Sequence, residues 1–154
     1  MDKTSIDWNN PKSLISKHFT VKDALYLPSW EIYHSPSKEE KDNILKTVEK
    51  MELIREVLGK PIIVNCWIRP NYVNCPKSTY HGKSYNAMVG GAPKSAHIFG
   101  LAVDFRVISM TASEARTLLV TELERLGIRM ENHSGSWTHI DLYPPVNKNR
   151  FFRP

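Results

Sequence analysis

SAHIFGLAVDF, residues 95–105, sets His97 and Asp104 seven positions apart in a mainly apolar run that holds one glycine. LAVDFRVI, residues 101–108, reads as a buried strand. A carboxylate in such a strand needs a partner, because burying an unpaired charge is costly. Gly100 permits a tight turn that folds His97 back beside the strand carrying Asp104. The partner of Asp104 is then either an arginine, Arg106 or Arg69, or a metal ion shared with His97.

A second strand, WTHIDLY at residues 137–143, alternates in character. Trp137, His139 and Asp141 fall on one face, while Thr138, Ile140 and Leu142 fall on the other. The second face is apolar and has to meet the core, so the first is turned to a cleft or to water. If the two strands pair, His97, Asp104 and His139 converge. Two imidazoles and a carboxylate suit a four-coordinate Zn²⁺ site with one position left open. Such an ion polarises a carbonyl and makes water a nucleophile at neutral pH. Zn²⁺ is therefore the expected cofactor, and metal-assisted hydrolysis the expected chemistry.

Hydrolysis of this kind needs a general base beside the ion. Glu131 ends the short strand GIRME, and the turn NHSGS leads from it to His139, so a hairpin makes Glu131 the candidate base. His133, on that turn, is a candidate for hydrogen bonding to a developing oxyanion. Arg69 ends KPIIVNCWIRP and is a candidate clamp for a substrate carboxylate, assisted by Ser95. Trp137 is a candidate lining residue, although packing is the ordinary role of tryptophan. Asp141 is placed to orient a histidine or else to meet solvent. His18, His34 and His81 lie outside this pattern and read as surface or packed residues.

Around this centre the chain supplies a small frame. Thr20 with Asp23, and Ser37 with Glu40, form capping-box patterns that start two helices. The second spans 38–58, with Ile44, Val48, Met51 and Leu58 on one stripe, widened by Leu45, Ile54 and Val57, and Gly59 stops it. Between these helices LPSWEIYHSPS, residues 27–37, reads as a loop. Residues 60–69 read as a strand, and residues 71–94 as a long loop of the kind that often carries function. Thr111 caps a helix whose apolar face is Ala115, Leu118, Leu119, Leu123 and Leu126, and Gly127 ends it. The tail PPVNKNRFFRP is polar, with two aromatics expected to dock on the body. The fold class expected is α+β, with a small, mostly antiparallel sheet and helices packed on one side. One domain over 1–154 is expected, with 1–14 and 145–154 as peripheral extensions.

Composition narrows the partners. With 41% hydrophobic and 24% charged residues in 154, the chain has the balance of a soluble globular domain. No run approaches the ~18 apolar residues of a membrane span, and the N-terminus lacks the apolar core of a signal peptide. The expectation is synthesis in the cytoplasm and, for any action outside the cell, release on lysis or an unconventional exit, with no membrane partner. The net charge of +5 comes from scattered lysines and arginines, so no nucleic-acid partner is expected and a monomer is. Cys66 and Cys75 are too few for a disulfide framework; a buried thiol at Cys66 is the plainer reading, and a bridge between the two the alternative.

The ordered set SAHIFGLAVDF, SWTHIDL, GKPIIVNCWIRP and VGGAPKSAH, with HFTVKDAL near the start, resembles the D-alanyl-D-alanine carboxypeptidase family of zinc peptidases. That family includes phage endolysins, vancomycin-resistance D,D-dipeptidases and cell-wall endopeptidases, and its fold is shared with the hedgehog signalling domain. Its signature is Ser-x-His, Gly-x-Ala-x-Asp and a late Trp-x-His, and the likeness covers roughly residues 15–143. The resemblance implies that His97, Asp104 and His139 hold zinc, that Arg69 and Ser95 touch substrate, and that the substrate is a bacterial cell-wall peptide cut near a D-amino acid. Two positions depart from the pattern. Ser136 stands where many members carry an acid, and Trp137 where others carry a histidine; Glu131 resembles a glutamate that some relatives place at the end of the preceding strand. Those departures motivate the alternative of a non-catalytic, metal-containing binding module.

Overall fold

A computed structural model of the chain describes residues 5–74, 76, 82–133 and 135–154. Cys75, Lys77 and His81 lie outside the described residues, and with them the question of a Cys66–Cys75 bridge.

Two capping boxes start the first helices as the sequence indicates. Thr20 accepts from the Asp23 amide and Asp23 answers at the Thr20 amide, starting α1 (Val21–Leu25). Ser37 and Glu40 do the same for α2 (Lys38–Leu58), which ends at Gly59 in a left-handed conformation. Between them the stretch read as a loop contains a two-stranded antiparallel ribbon, β1 (Tyr26–Leu27) and β2 (Ile32–Tyr33). Each strand is only two residues long, too short for an alternating pattern to register.

The main sheet has five strands: β3 (Ile62–Cys66), β4 (Ala102–Val107), β5 (Arg129–Glu131), β6 (Thr138–Asp141) and β7 (Phe151–Phe152), in the order β3-β4-β6-β5-β7. All pairings are antiparallel except β5 with β7. The architecture is the expected α+β one. Val103, Phe105, Ile140, Thr138 and Met130 point from one face into the core, where they are fully buried with Ile44, Met51 and Ile54 of α2. Burial of each such large side chain stabilises by about 1.5–3 kcal/mol. The helical region expected after Thr111 is divided: α4 (Ala112–Leu119), a 3₁₀ turn over Val120–Glu122, then α5 (Leu123–Leu126) closed by Gly127. Ala115, Leu119, Leu123 and Leu126 are its buried residues, whereas Leu118, assigned to the apolar face, is 46% exposed.

The stretch 71–94 is less bare than it reads, since Ser84 caps a single turn of helix, α3 (Tyr85–Met88). Both terminal stretches contribute residues to the body. Ile6 is buried in the core, and the tail aromatics dock as strand β7, with Phe151 against the core.

The opposite face of the sheet positions the site. Asp104 on β4 lies directly across from His139 on β6, and Arg129 on β5 directly across from Asp141. Glu131 on β5 lies across from Phe152 on β7. On the other side, a register shift between Val64 and Cys66 brings Cys66 opposite Asp104. Such a shift re-aims the strand end, here toward His97.

Candidate metal centre

His97 reaches the sheet from a 3₁₀ turn, Ala96–Phe99. Ser95 starts the turn by accepting from the His97 amide, and Gly100 ends it at φ +78°. That conformation favours glycine. The Gly100 carbonyl is gripped from two sides, by the Thr47 hydroxyl at 2.9 Å and the Trp67 indole N–H at 3.0 Å. The turn is thereby fixed to both α2 and the end of β3.

The His97 ring is fully buried. Its Nδ1–H donates to the Trp67 carbonyl at 2.6 Å, and its Nε2 lies 3.2 Å from Asp104 Oδ1. His139 Nδ1 lies 2.8 Å from the same Asp104 Oδ1, and its Nε2 lies 2.9 Å from Asp141 Oδ2. Asp141 in turn receives two bonds from Arg129, 2.7 Å from Nε and 2.9 Å from Nη2. The guanidinium carbon of Arg129 stands 3.9 Å from the centre of the Phe152 ring and 5.6 Å from that of Tyr143.

These contacts set the charges. Burial pulls the His97 pKa down and favours the neutral ring, against the pull of Asp104. Burial acts to raise Asp104, yet the hydrogen bonds from His139 and His97 hold its carboxyl far below the ordinary range. His139 is raised to about 9: burial opposes the charge, but hydrogen bonds to Asp104 and Asp141 outweigh it.

One donor atom from each of His97, Asp104 and His139 lies within 4.8 Å of the other two, a grouping able to hold a metal ion. The chemistry of the set fits. A neutral His97 has one N–H, and the Trp67 carbonyl can only accept, so Nδ1 carries the proton. The lone pair of Nε2 therefore faces a carboxylate oxygen at 3.2 Å. A cation between them relieves the repulsion of two facing lone pairs, and a proton on the ring, the other remedy, is disfavoured by burial. At His139, the Asp141 carboxylate holds the proton on Nε2 and leaves Nδ1 to the cluster, the usual outer partner of a ligating imidazole. Neither Arg106 nor Arg69 neutralises Asp104: the first donates to Asn65 and the second to Ser95.

The cluster opens into a cleft of about 480 Å³, whose walls include Arg69, Ser95, Glu131, Trp137, Phe152 and Pro154. Glu131 Oε1 is 3.9 Å from His139 Nε2. Arg69 Nη2 donates to the Ser95 hydroxyl at 3.1 Å, while its Nε is buried with no partner among the described residues. Trp137 is 40% exposed on the cleft side. His133 is set back: its Nδ1 accepts from the Gly135 amide, its ring stacks at 4.9 Å on Trp137, and its Nε2 is buried 4.0 Å from Glu131 Oε2. The remaining histidines among the described residues are partnered elsewhere, His18 with Glu52 and His34 with Glu40 and Tyr72. Cys66 sits beside the cluster, its Sγ 4.0 Å from His97 Nδ1, and burial pushes its thiol up to about 12, so it stays protonated.

Arg129, Phe152 and the Trp67 carbonyl were not singled out from the sequence. Arg129 had a signal, since it lies two residues before Glu131 on the same strand face, and the hairpin register sets it against Asp141. A backbone carbonyl and a two-residue strand carry no such signal.

No curated protein matches the chain. The Peptidase M15 family model matches residues 17–141, which contain the whole His97–Asp104–His139 cluster. The chain belongs to the M15 peptidases, the D-alanyl-D-alanine carboxypeptidase-like family.

Proposed function

We propose that the protein is a zinc-dependent peptidase that cuts peptides of bacterial peptidoglycan beside a D-amino acid. One observation carries the reading: His97 Nε2, Asp104 Oδ1 and His139 Nδ1 converge while the other nitrogen of each ring is already held, by the Trp67 carbonyl and by Asp141. Two imidazoles and one carboxylate are a donor set suited to Zn²⁺. When bound, Zn²⁺ supplies Lewis acidity toward a peptide carbonyl and activates water at neutral pH.

The chain's own groups supply the rest. Glu131, on the cleft wall beside His139, takes a proton from the attacking water and returns it to the leaving amine. In the neutral His133 ring the Gly135 contact leaves the proton on Nε2, the atom nearest Glu131. We therefore assign His133 to the support of Glu131 rather than to direct contact with an oxyanion. Arg69 offers its guanidinium to a substrate carboxylate, with Ser95 holding one nitrogen in place. Trp137 forms part of the wall on which the peptide lies. The peptidoglycan reading is supported by family membership and by the Arg69 guanidinium on the wall of the cleft into which the cluster opens.

The test is incubation of the zinc-loaded protein with purified muropeptides, read by mass spectrometry. The expected result is loss of a terminal alanine or scission within the stem peptide. Glu131→Gln should lose turnover and keep its zinc. Intact muropeptides with the zinc-loaded wild type would refute the peptidase reading and leave the binding module standing.

A further inference from the structure

Residues 142–154 lie beyond the stretch that the family model matches, yet they reach the centre of the site. Strand β7 closes the sheet beside β5. The Met130 amide donates to the Arg150 carbonyl at 2.7 Å and the Asn132 amide to the Phe152 carbonyl at 2.6 Å, one bond on each side of Glu131. This places the Phe152 ring over the Arg129 guanidinium at 3.9 Å. Arg129 holds both oxygens of Asp141, and Asp141 receives the Nε2–H of His139. A series of contacts thus runs from the tail to a ligand atom, Phe152, Arg129, Asp141, His139, beside a direct edge-on approach of the Phe152 and His139 rings at 6.3 Å. The Arg129 side chain is 11% exposed and that of Asp141 2%, so the ion pair is shielded from water, with the aromatic ring on the guanidinium face.

We propose that the C-terminal strand is a brace for the metal centre, in which Phe152 acts as a positioning residue by keeping Arg129 on Asp141 and so holding Nδ1 of His139 toward the metal. This rests on the reading of His97, Asp104 and His139 as ligands. It differs from a packing role in a measurable way. A residue that only packs lowers the stability of the fold. A brace also lowers metal affinity, and does so through Asp141.

The experiment is Zn²⁺ titration of the full chain in competition with a chromophoric chelator. The variants are Phe152→Ala, Phe152→Leu, Asp141→Asn and the Phe152→Ala/Asp141→Asn double variant. Losing an outer partner of a ligating histidine weakens metal binding by about 10- to 100-fold, which is the change expected for Asp141→Asn. Phe152→Ala is expected at the lower end, about tenfold. In the double variant Phe152→Ala should add little, because the contact through which it acts is already gone. Phe152→Leu keeps an apolar side chain and loses the ring face, and it carries the test if the alanine variant does not fold; reduced affinity supports the brace. Wild-type affinity in the folded Phe152 variants, or a Phe152 effect that adds in full to that of Asp141→Asn, overturns it. A wild-type chain that takes no Zn²⁺ from the chelator refutes the ligand reading itself, and the brace falls with it.

Discussion

His97 Nε2 and Asp104 Oδ1 face each other across 3.2 Å while the single proton of the neutral imidazole is committed to the Trp67 carbonyl on the other side of the ring. Two lone pairs at that distance repel unless a positive charge lies between them. Protonating His97 would provide one, but the ring is fully buried and burial favours the neutral form. A divalent ion provides it with a third donor, His139, on the neighbouring strand.

Asp104→Asn removes the charge and keeps the shape. The amide is a poor ligand for Zn²⁺ and leaves the two imidazoles without their anionic partner. Zn²⁺ affinity should fall by more than about 100-fold, beyond the usual cost of losing an outer partner, and hydrolysis should fall with it. Chelator competition on wild type and variant measures this directly.

With the metal stripped by a chelator, His139 ties stability to pH. Its pKa is raised to about 9 in the fold, from about 6.5 in the unfolded chain. A raised folded pKa means that the fold keeps a proton which the unfolded chain releases. The stabilisation is complete below about pH 6.5 and is lost as pH rises through about 9. Thermal unfolding of the chelated protein should show the midpoint falling over this window. His139→Ala should flatten the fall, and a midpoint that holds steady between these pH values would contradict the assignment.

Arg69 donates to the Ser95 hydroxyl, and its buried Nε has no partner among the described residues. A charged hydrogen bond is worth about 1.5–3 kcal/mol, so Arg69→Ala should lower kcat/KM by roughly 10- to 150-fold on peptides that present a free carboxylate beside the cut. Zn²⁺ content should not change. Lysine should restore little, since it lacks the planar fork. Equal losses on amidated and free-acid peptides would remove Arg69 from carboxylate binding.

Gly100 carries the bend between the two ligands of the opening motif. At φ +78° any side chain is strained, and a Cβ there would stand 2.9 Å from Ile44 Cγ1. Gly100→Ala should destabilise the fold by about 1–3 kcal/mol, seen as a lower midpoint in urea. An unchanged midpoint would show that the turn relaxes freely.

The features legible in the sequence share a physical cause, which is that their reasons are local. Capping boxes at Thr20 and Ser37 and the glycine stops at 59 and 127 need only neighbouring residues. The alternation of Thr138–Asp141 is enough to put His139 on the cleft face, and its place opposite Asp104 comes from the register of the β4–β6 pairing. What was not legible depends on distant chain. The β1–β2 ribbon is held by pairing rather than by pattern. The division between α4 and α5 at Val120–Glu122 leaves no mark in the apolar spacing. The tail strand shows only Phe151 and Phe152, and its place beside β5 follows from a parallel pairing of residues 21 apart. His133 was expected at an oxyanion because of its position on the hairpin turn. The Gly135 amide and the Trp137 ring hold it back from the cleft lining instead, with its free nitrogen toward Glu131.

The most direct test of the account is X-ray absorption at the zinc edge of the loaded protein, with metal content measured on the same sample. The account predicts one zinc per chain, with a first shell of nitrogen and oxygen, two imidazoles and a carboxylate, that disappears in His139→Ala. A zinc held with the same shell in that variant, a shell containing sulfur, or a wild-type chain that retains no zinc would contradict it.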